Sequence, residues 1–270
     1  MGLSQQIAYS SLLAFFPAMA FLVGALGVFH LFDDVKQLLD PIAPNGVIKF
    51  ISGLQHDSKG GASAAAFVIG FFGAVWAASG AMGSVIKAVN AAYERQETRP
   101  FWKTRAISVL LVVSSGITTA GIFLLIVVGG ALGDAISKKA GLGGAFQWTW
   151  GIVRWPVAFC AILLFFGLVY YVAPNIDHRR WHWVTPGSVV GGLAWIVLSG
   201  LFALYTAFSN SYSKTYGALA GGIVLLLWLN YTAWAILFGA ELNSELDRQA
   251  DIHAAGVEHA GLTRPARRER

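Results

Sequence analysis

The stretch from Tyr216 to Asn243, YGALAGGIVLLLWLNYTAWAILFGAELN, limits most sharply what this chain can fold into. No charged residue occurs between Gly217 and Ala240. As a helix, that run is long enough to cross a bilayer core of roughly 30 Å. It is not featureless. Asn230, Trp234 and Glu241 follow one another at steps of four and seven residues, so they share one helical face. Gly217, Gly221 and Gly222 thin its first turns, and Glu241 and Asn243 give it a polar end. A span serving only as an anchor has no use for an amide near its middle.

The rest of the 270-residue chain is built in the same way. It is 56% hydrophobic and only 12% charged, where soluble domains carry about 25% charged residues. The polar surface needed to wrap a globule of this size is missing, and several separate uncharged runs reach about 18 residues or more. The fold class expected is all-α: a polytopic membrane helix bundle with six transmembrane helices, over about 8–32, 62–88, 106–132, 152–173, 184–208 and 217–240. Together these form one domain, 1–243, followed by a charged tail, 244–270. Cys160, the single cysteine, lies in an apolar run and excludes an intramolecular disulfide and any Cys-based metal cluster. Ala18-Met19-Ala20 has the small-x-small look of a signal cleavage site. Nothing before it is basic and the apolar run continues to Phe32, so the first run reads as a retained span.

In span one, Tyr9, Ser10 and Ser11 make the first turn polar, and Pro17 is expected to kink the helix or open a carbonyl to a neighbour. Residues 33–61 are too polar to span. The pieces DDVKQLLD and NGVIKFISGL are amphipathic, with Val47, Ile48, Ile51 and Leu54 at helical spacing, and Pro41, Pro44 and Gly46 separate them. They read as two surface helices between the first two spans, or else as a partly ordered loop. Span two carries a small-residue stripe, Gly70, Gly73, Ala77, Gly80 and Ser84, of the kind that lets helix backbones approach closely. Trp76 lies near its middle and is expected to face protein. Between spans two and three, Lys87–Arg105 holds five Lys/Arg against two acids. Arg95, Arg99, Lys103 and Arg105 form a basic loop, with Trp102 as interfacial anchor. Directly between two spans, anionic lipid head groups are a better partner for it than nucleic acid.

Span three carries Ser114, Ser115, Thr118 and Thr119, hydroxyls that can bond their own backbone. A Gly-rich loop with Lys138, Lys139, Trp148 and Trp150 is expected next; its GLGGAF lacks the Gly-Lys-Ser/Thr ending of a phosphate loop. Pro156 fits the start of span four and Pro174 ends it. His178 and His182 fall in a short turn, which argues against a zinc site. In span five, Thr185 can cap the helix and Pro186 suits its first turn. Ser188, Gly192, Trp195, Ser199, Phe202 and Thr206 share a semi-polar, aromatic face. The short loop 209–215 makes spans five and six antiparallel neighbours. After Asn243, ELDRQAD extends span six as a surface helix, and RPARRER ends the chain as a solvated tail. Twelve of the 19 Lys/Arg fall on one side of a six-span chain, which by the positive-inside rule places both termini in the cytoplasm.

No charge lies mid-span, which argues against a proton- or sodium-driven antiporter. The six histidines are scattered, and no nucleophile elbow, phosphate loop or paired carboxylates appear. The chain is therefore not expected to be an enzyme or to hold a metal or cofactor. Glu241 is the one acid near a span; it is either a helix-end charge or a gate or substrate contact.

Four stretches, YSSLLAFFPAMAFLVGALG, NAAYERQETRPFWKTR, PGSVVGGLAWIVLSGLFALY and SYSKTYGALAGGIVLLLWLNYTAWAILFGAELN, together resemble the YihY / virulence factor BrkB family, once labelled ribonuclease BN. The resemblance covers almost the whole chain. It matches at Tyr9, Pro17, Trp76, Asn90, Tyr93, Arg99, Phe101, Pro174, Pro186, Gly187, Phe202, Tyr205, Tyr212, Tyr216, Gly217, Trp228, Gly239, Glu241 and Asn243. Most relatives have a longer segment before the first span, and often Ser where this chain has Ala14. The resemblance implies a bacterial inner-membrane protein with transport or envelope roles. RNA hydrolysis needs a metal site or an acid–base pair in water, and the sequence offers neither.

The function expected is that of a transporter or lipid- or solute-translocating protein, with a cavity lined by Trp76, Trp195, Asn230 and Trp234. Tyr9, Pro17, Glu241 and Asn243 are further functional candidates. The alternative is a non-transporting structural or assembly factor whose polar residues only pair helices. Membrane lipids are the expected partners, and a homo-oligomer is compatible with the sequence.

Overall fold

The computed structural model describes residues 2–40, 45–57, 61–140, 143–176, 184–208 and 218–262. Every regular element among them is helical: α1 (Leu3–Val28), α2 (Phe32–Leu39), α3 (Asn45–Asp57), α4 (Gly61–Ala92), α5 (Phe101–Phe123), a π-helical turn (Leu124–Val128), α6 (Gly129–Ala140), α7 (Gly143–Val172), α8 (Pro186–Phe208) and α9 (Ala218–Leu262). Six of them, α1, α4, α5, α7, α8 and α9, are long and apolar enough to cross a membrane. The two amphipathic pieces after span one are helices α2 and α3. They are tied together by Lys36, which pairs with Asp33 at 2.7 Å and donates to Gln55 Oε1 at 2.6 Å.

Several boundaries differ from the expected ones for local reasons. α1 stops at Val28 rather than near 32 because His30 takes a left-handed conformation (φ 57°). Leu31 N–H then bonds the Leu26 carbonyl at 2.9 Å, closing a Schellman motif with histidine where glycine is usual. α4 ends likewise at Glu94 (φ 52°), with Arg95 N–H on the Asn90 carbonyl at 2.8 Å. The expected Gly-rich loop is mostly helix: α6 covers Lys138 and Lys139, and α7 begins at Gly143 and includes Trp148 and Trp150. α9 carries the charged ELDRQAD segment as a direct continuation of span six. His178, His182, the 209–215 loop and the terminal arginines lie outside the described residues.

The small stripe of α4 meets α1. Gly70 lies against the Phe21 backbone, Gly24 against the Phe67 backbone, and the Pro17 ring reaches to 3.4 Å from where a Gly73 Cβ would be. Ser10 and Ser84 share a hydrogen bond of 3.1 Å near the other end. These pairs run in opposite order along the two helices, so α1 and α4 are antiparallel. Van der Waals packing holds such a pair, because lipid tails are as apolar as the side chains they replace. The Pro17 ring thus fills a hollow that only a small residue at 73 leaves open.

The core gathers at one end of the bundle. Ile7 of α1, Val85, Ile86 and Val89 of α4, Leu111 of α5, Phe166, Val169 and Tyr170 of α7, and Ala233, Ile236 and Ala240 of α9 form one buried cluster. All lie toward the end where the 93–100 loop crosses. In the opposite half, Gly116 and Gly121 of α5, Gly200 of α8, and Gly221 and Gly222 of α9 have open space where a side chain would stand.

Candidate functional site

Polar groups at the packed end form a connected clasp. Glu94 turns the chain out of α4, and Pro100 leads into α5, so residues 93–100 fold back over the helix ends. Arg99 donates to both oxygens of Glu97, from Nε at 2.7 Å and Nη2 at 2.6 Å. Its guanidinium also reaches the last carbonyls of α7, Val172 at 3.2 Å and Ala173 at 2.7 Å. Those carbonyls have no donor within their own helix, and a fork-shaped cation suits them. Buried Asn90 donates to Glu97 at 2.9 Å and accepts the Asn175 backbone N–H at 2.6 Å. Asn175 closes the ring by donating to the Gln96 carbonyl and to Thr98 Oγ1. Hydrogen bonds from Arg99 hold the Glu97 carboxyl below the ordinary carboxylate range, and partial burial offsets this only in part.

A second junction joins α7, α8 and α9. Gly187 and Gly239 approach so closely that a Cβ on either would collide with the backbone of the other. The Tyr170 hydroxyl donates to the Ile236 carbonyl at 2.9 Å. Asn243 accepts the Gly187 N–H at 2.8 Å and donates to Thr185 Oγ1 at 2.9 Å. Thr185 caps α8 as its place before Pro186 predicts, accepting the Ser188 N–H at 3.0 Å. Each of these donors has its acceptor, so the junction is a fastening.

Trp195, Ser199 and Phe202 of the semi-polar face of α8 lie against α9, Gly192 lies against α7, and α8 and α9 are antiparallel. Trp195 donates to Thr232 at 3.1 Å, Trp228 to Ser199 at 3.1 Å, and Phe202 meets Tyr231 edge-on. Asn230 lies on another face of α9 from Trp228 and Thr232, and its buried Oδ1 has no hydrogen-bond partner among the described residues. Outside this interface, α8 and α9 form a groove of about 400 Å³ lined by Ala194, Leu198, Trp234, Ala235, Leu237, Phe238 and Glu241. The groove is open along its side. Trp234 forms part of its wall and donates its indole N–H to Ser4 of α1 at 3.0 Å.

The expected lining residues therefore do not meet in one cavity. Trp76 is 70% exposed on α4, with the Arg105 guanidinium stacked 4.2 Å over its ring. Trp195 belongs to the α8–α9 interface, Trp234 and Glu241 to the outer groove, and Asn230 to neither lining. Asn243, two residues after Glu241, points the opposite way into the bundle and is 6% exposed. Tyr9 is exposed on α1. Of the basic-loop residues, Arg99 is committed to the clasp and Arg105 to Trp76, where it also bonds the Trp76 carbonyl at 2.9 Å. Arg95 and Lys103 stand exposed.

Arg154 is a position that sequence reasoning missed. It lies well inside α7 and reaches toward the π-helical turn, where Nη1 is 3.5 Å from the Ile126 carbonyl. Trp150, one turn before it, donates to the Gly129 carbonyl at 2.6 Å. A π-helical turn alters the regular bonding of a helix, and these two donors of α7 cover carbonyls in and just after it. The helical spacing of Trp150 and Arg154 was the available signal.

A family model described as virulence factor BrkB matches residues 1–261. YfkH of Bacillus subtilis, described as ribonuclease-like, is 30% identical over 92% of this chain and 90% of its own. A UPF0761 membrane protein of Alteromonas mediterranea is 29% identical over 94% of this chain and 84% of its own. Another, of Aggregatibacter aphrophilus, is 24% identical over 89% of this chain and 84% of its own. No solved structure matches the chain.

Proposed function

The chain belongs to the virulence factor BrkB family, as a multi-pass membrane protein, and from that premise we propose that it binds and translocates membrane amphiphiles along the outer face of α8 and α9. The observation carrying this reading is the lateral groove, apolar from Leu198 and Trp234 to Phe238 and ending at Glu241. Within a bilayer, an apolar hollow open to the side is filled by acyl chains, because water gains no partners there. The polar groups between α8 and α9 favour the same reading. Trp195 is satisfied by Thr232, and Trp228 by Ser199, so they seal the interface more than they line a conduit. On the positive-inside rule, Glu241 lies at the cytoplasmic leaflet of the bacterial inner membrane.

The test is a proteoliposome panel of labelled phospholipids, ions and small solutes. Labelled phospholipid is expected to change leaflet faster than in empty vesicles, and Leu198→Trp, which fills the groove, to slow it. Solute or ion flux without lipid movement would overturn the reading.

The saturated clasp and the paired α8–α9 contacts favour one other reading, a non-transporting envelope scaffold. An inert panel, with loss of partner proteins from membranes lacking this chain, would support it. We read the chain as no nuclease, whatever the ribonuclease-like description of YfkH. Among the described residues no three His, Cys, Asp or Glu gather where they could hold a metal ion, and Glu97 is tied to Arg99. RNA cleavage by purified protein, abolished by one named substitution, would reverse that.

A further inference from the structure

We infer that the groove selects phospholipids whose head group ends in a primary ammonium, with Glu241 as its receptor. This rests on the groove being a lipid site and adds which lipid it takes. Three observations point the same way. Glu241 lines the groove with its carbon stem, so its carboxylate stands outside the apolar lining, and the other lining residues are alanines, leucines and two aromatic rings. It is also the first charged residue after the uncharged run Gly217–Ala240, which puts it where hydrocarbon gives way to head groups. Finally, among the described residues it has neither a hydrogen bond nor an ion pair. The next charges on its face of α9 are occupied with each other: Arg248 pairs with Glu245 at 2.8 Å. That pair is neutral, so among the described residues the charge at the mouth of the groove is the negative one of Glu241.

A carboxylate at head-group level repels the phosphate of an anionic lipid. A primary ammonium presents N–H donors that the carboxylate accepts as charge-assisted hydrogen bonds. A quaternary ammonium has no N–H and is bound by cages of aromatic rings. At the Glu241 level the groove has one ring, Phe238. Trp234 lies seven residues deeper, about 10 Å along the helix, and cannot complete a cage there. Glu241 thus reads the head group, and the apolar wall from Leu237 to Leu198 takes an acyl chain.

The experiment uses the full chain with a photo-crosslinking residue at Leu198, in nanodiscs of equimolar phosphatidylethanolamine and phosphatidylglycerol. A second set contains phosphatidylcholine with phosphatidylglycerol. Crosslinks to phosphatidylethanolamine should exceed those to phosphatidylglycerol by about threefold, the scale of an exposed ion pair. Glu241→Gln should bring that ratio to one, Glu241→Asp should preserve it, and phosphatidylcholine should show no excess. A wild-type ratio of one, an excess that survives Glu241→Gln, or an equal excess of phosphatidylcholine would overturn the head-group assignment while leaving the groove a lipid site. Absence of lipid crosslinks at Leu198, with lipid captured normally at exposed Val197, would instead overturn the lipid site itself.

Discussion

The two halves of this bundle are made from the same kinds of residue and use them differently. At the end where the 93–100 loop crosses, glycines mark contact: Gly187 and Gly239 press backbone to backbone, and Asn243 ties them to Thr185. In the opposite half, Gly116, Gly121, Gly200, Gly221 and Gly222 face open space. One half is fastened by saturated polar groups over a buried apolar cluster. The other is held at separate seams: the α1–α4 pair, Trp228 on Ser199 between α8 and α9, and Trp150 of α7 on the Gly129 carbonyl. A glycine in a membrane helix therefore does not by itself report a close approach: Gly24 and Gly70 meet a facing backbone, Gly133 meets the Trp150 ring, and Gly80 meets nothing.

The largest expected effect comes from breaking the fastened half at its narrowest point. Gly187→Val should destabilise the fold in detergent by about 3 kcal/mol, because a side chain there must displace the Gly239 backbone and Asn243. Unfolding followed by tryptophan fluorescence would measure it; a change below about 0.5 kcal/mol would mean the helices are not held this close. Next comes Arg99→Ala, which strips donors from the Val172 and Ala173 carbonyls and leaves Glu97 without its cation. About 2 kcal/mol is expected, the scale of hydrogen bonds to charged groups.

The same pair makes stability depend on acid. Because the folded Glu97 carboxyl titrates below its ordinary 4.5, its contribution is complete above that value. It is lost as pH falls through the lower folded value. Thermal unfolding of Glu97→Gln should lack this acid-dependent component, and parallel curves for the two proteins would remove Glu97 from the clasp. The smallest effect belongs to the open half: Gly200→Ala should stay within about 0.5 kcal/mol of wild type. A large loss there would show that the far half is packed against something as tightly as the near one.

The six spans were legible because burial in lipid demands long uncharged runs, and the chain supplies them almost without interruption. The amphipathic pieces that became α2 and α3 were legible for the complementary reason, a period that sorts polar from apolar faces. Partner choice was not. The stripe from Gly70 to Ser84 announces that a backbone comes close, but any helix can be that backbone, and the Pro17 ring over Gly73 shows it to be α1. Trp76 was assigned to the interior because a mid-span tryptophan usually faces protein, whereas here Arg105 covers the ring at the surface. The face containing Ser188, Trp195 and Ser199 was read correctly as distinct, and its partners on α9 emerged only from the packing. Glu97 gave no signal of its own, because its role depends on Arg99 and Asn90 converging from separate elements.

The π-helical turn Leu124–Val128 has a geometric consequence. A π turn accommodates one residue more than an α turn, and one residue of α-helix corresponds to a rotation of about 100°. The insertion therefore acts as a phase shifter: everything in α6 presents an azimuth that an uninterrupted α5 would have aimed elsewhere. Trp150 and Arg154 of α7 meet the chain at this shift, on the carbonyls of Gly129, just after the turn, and Ile126, within it.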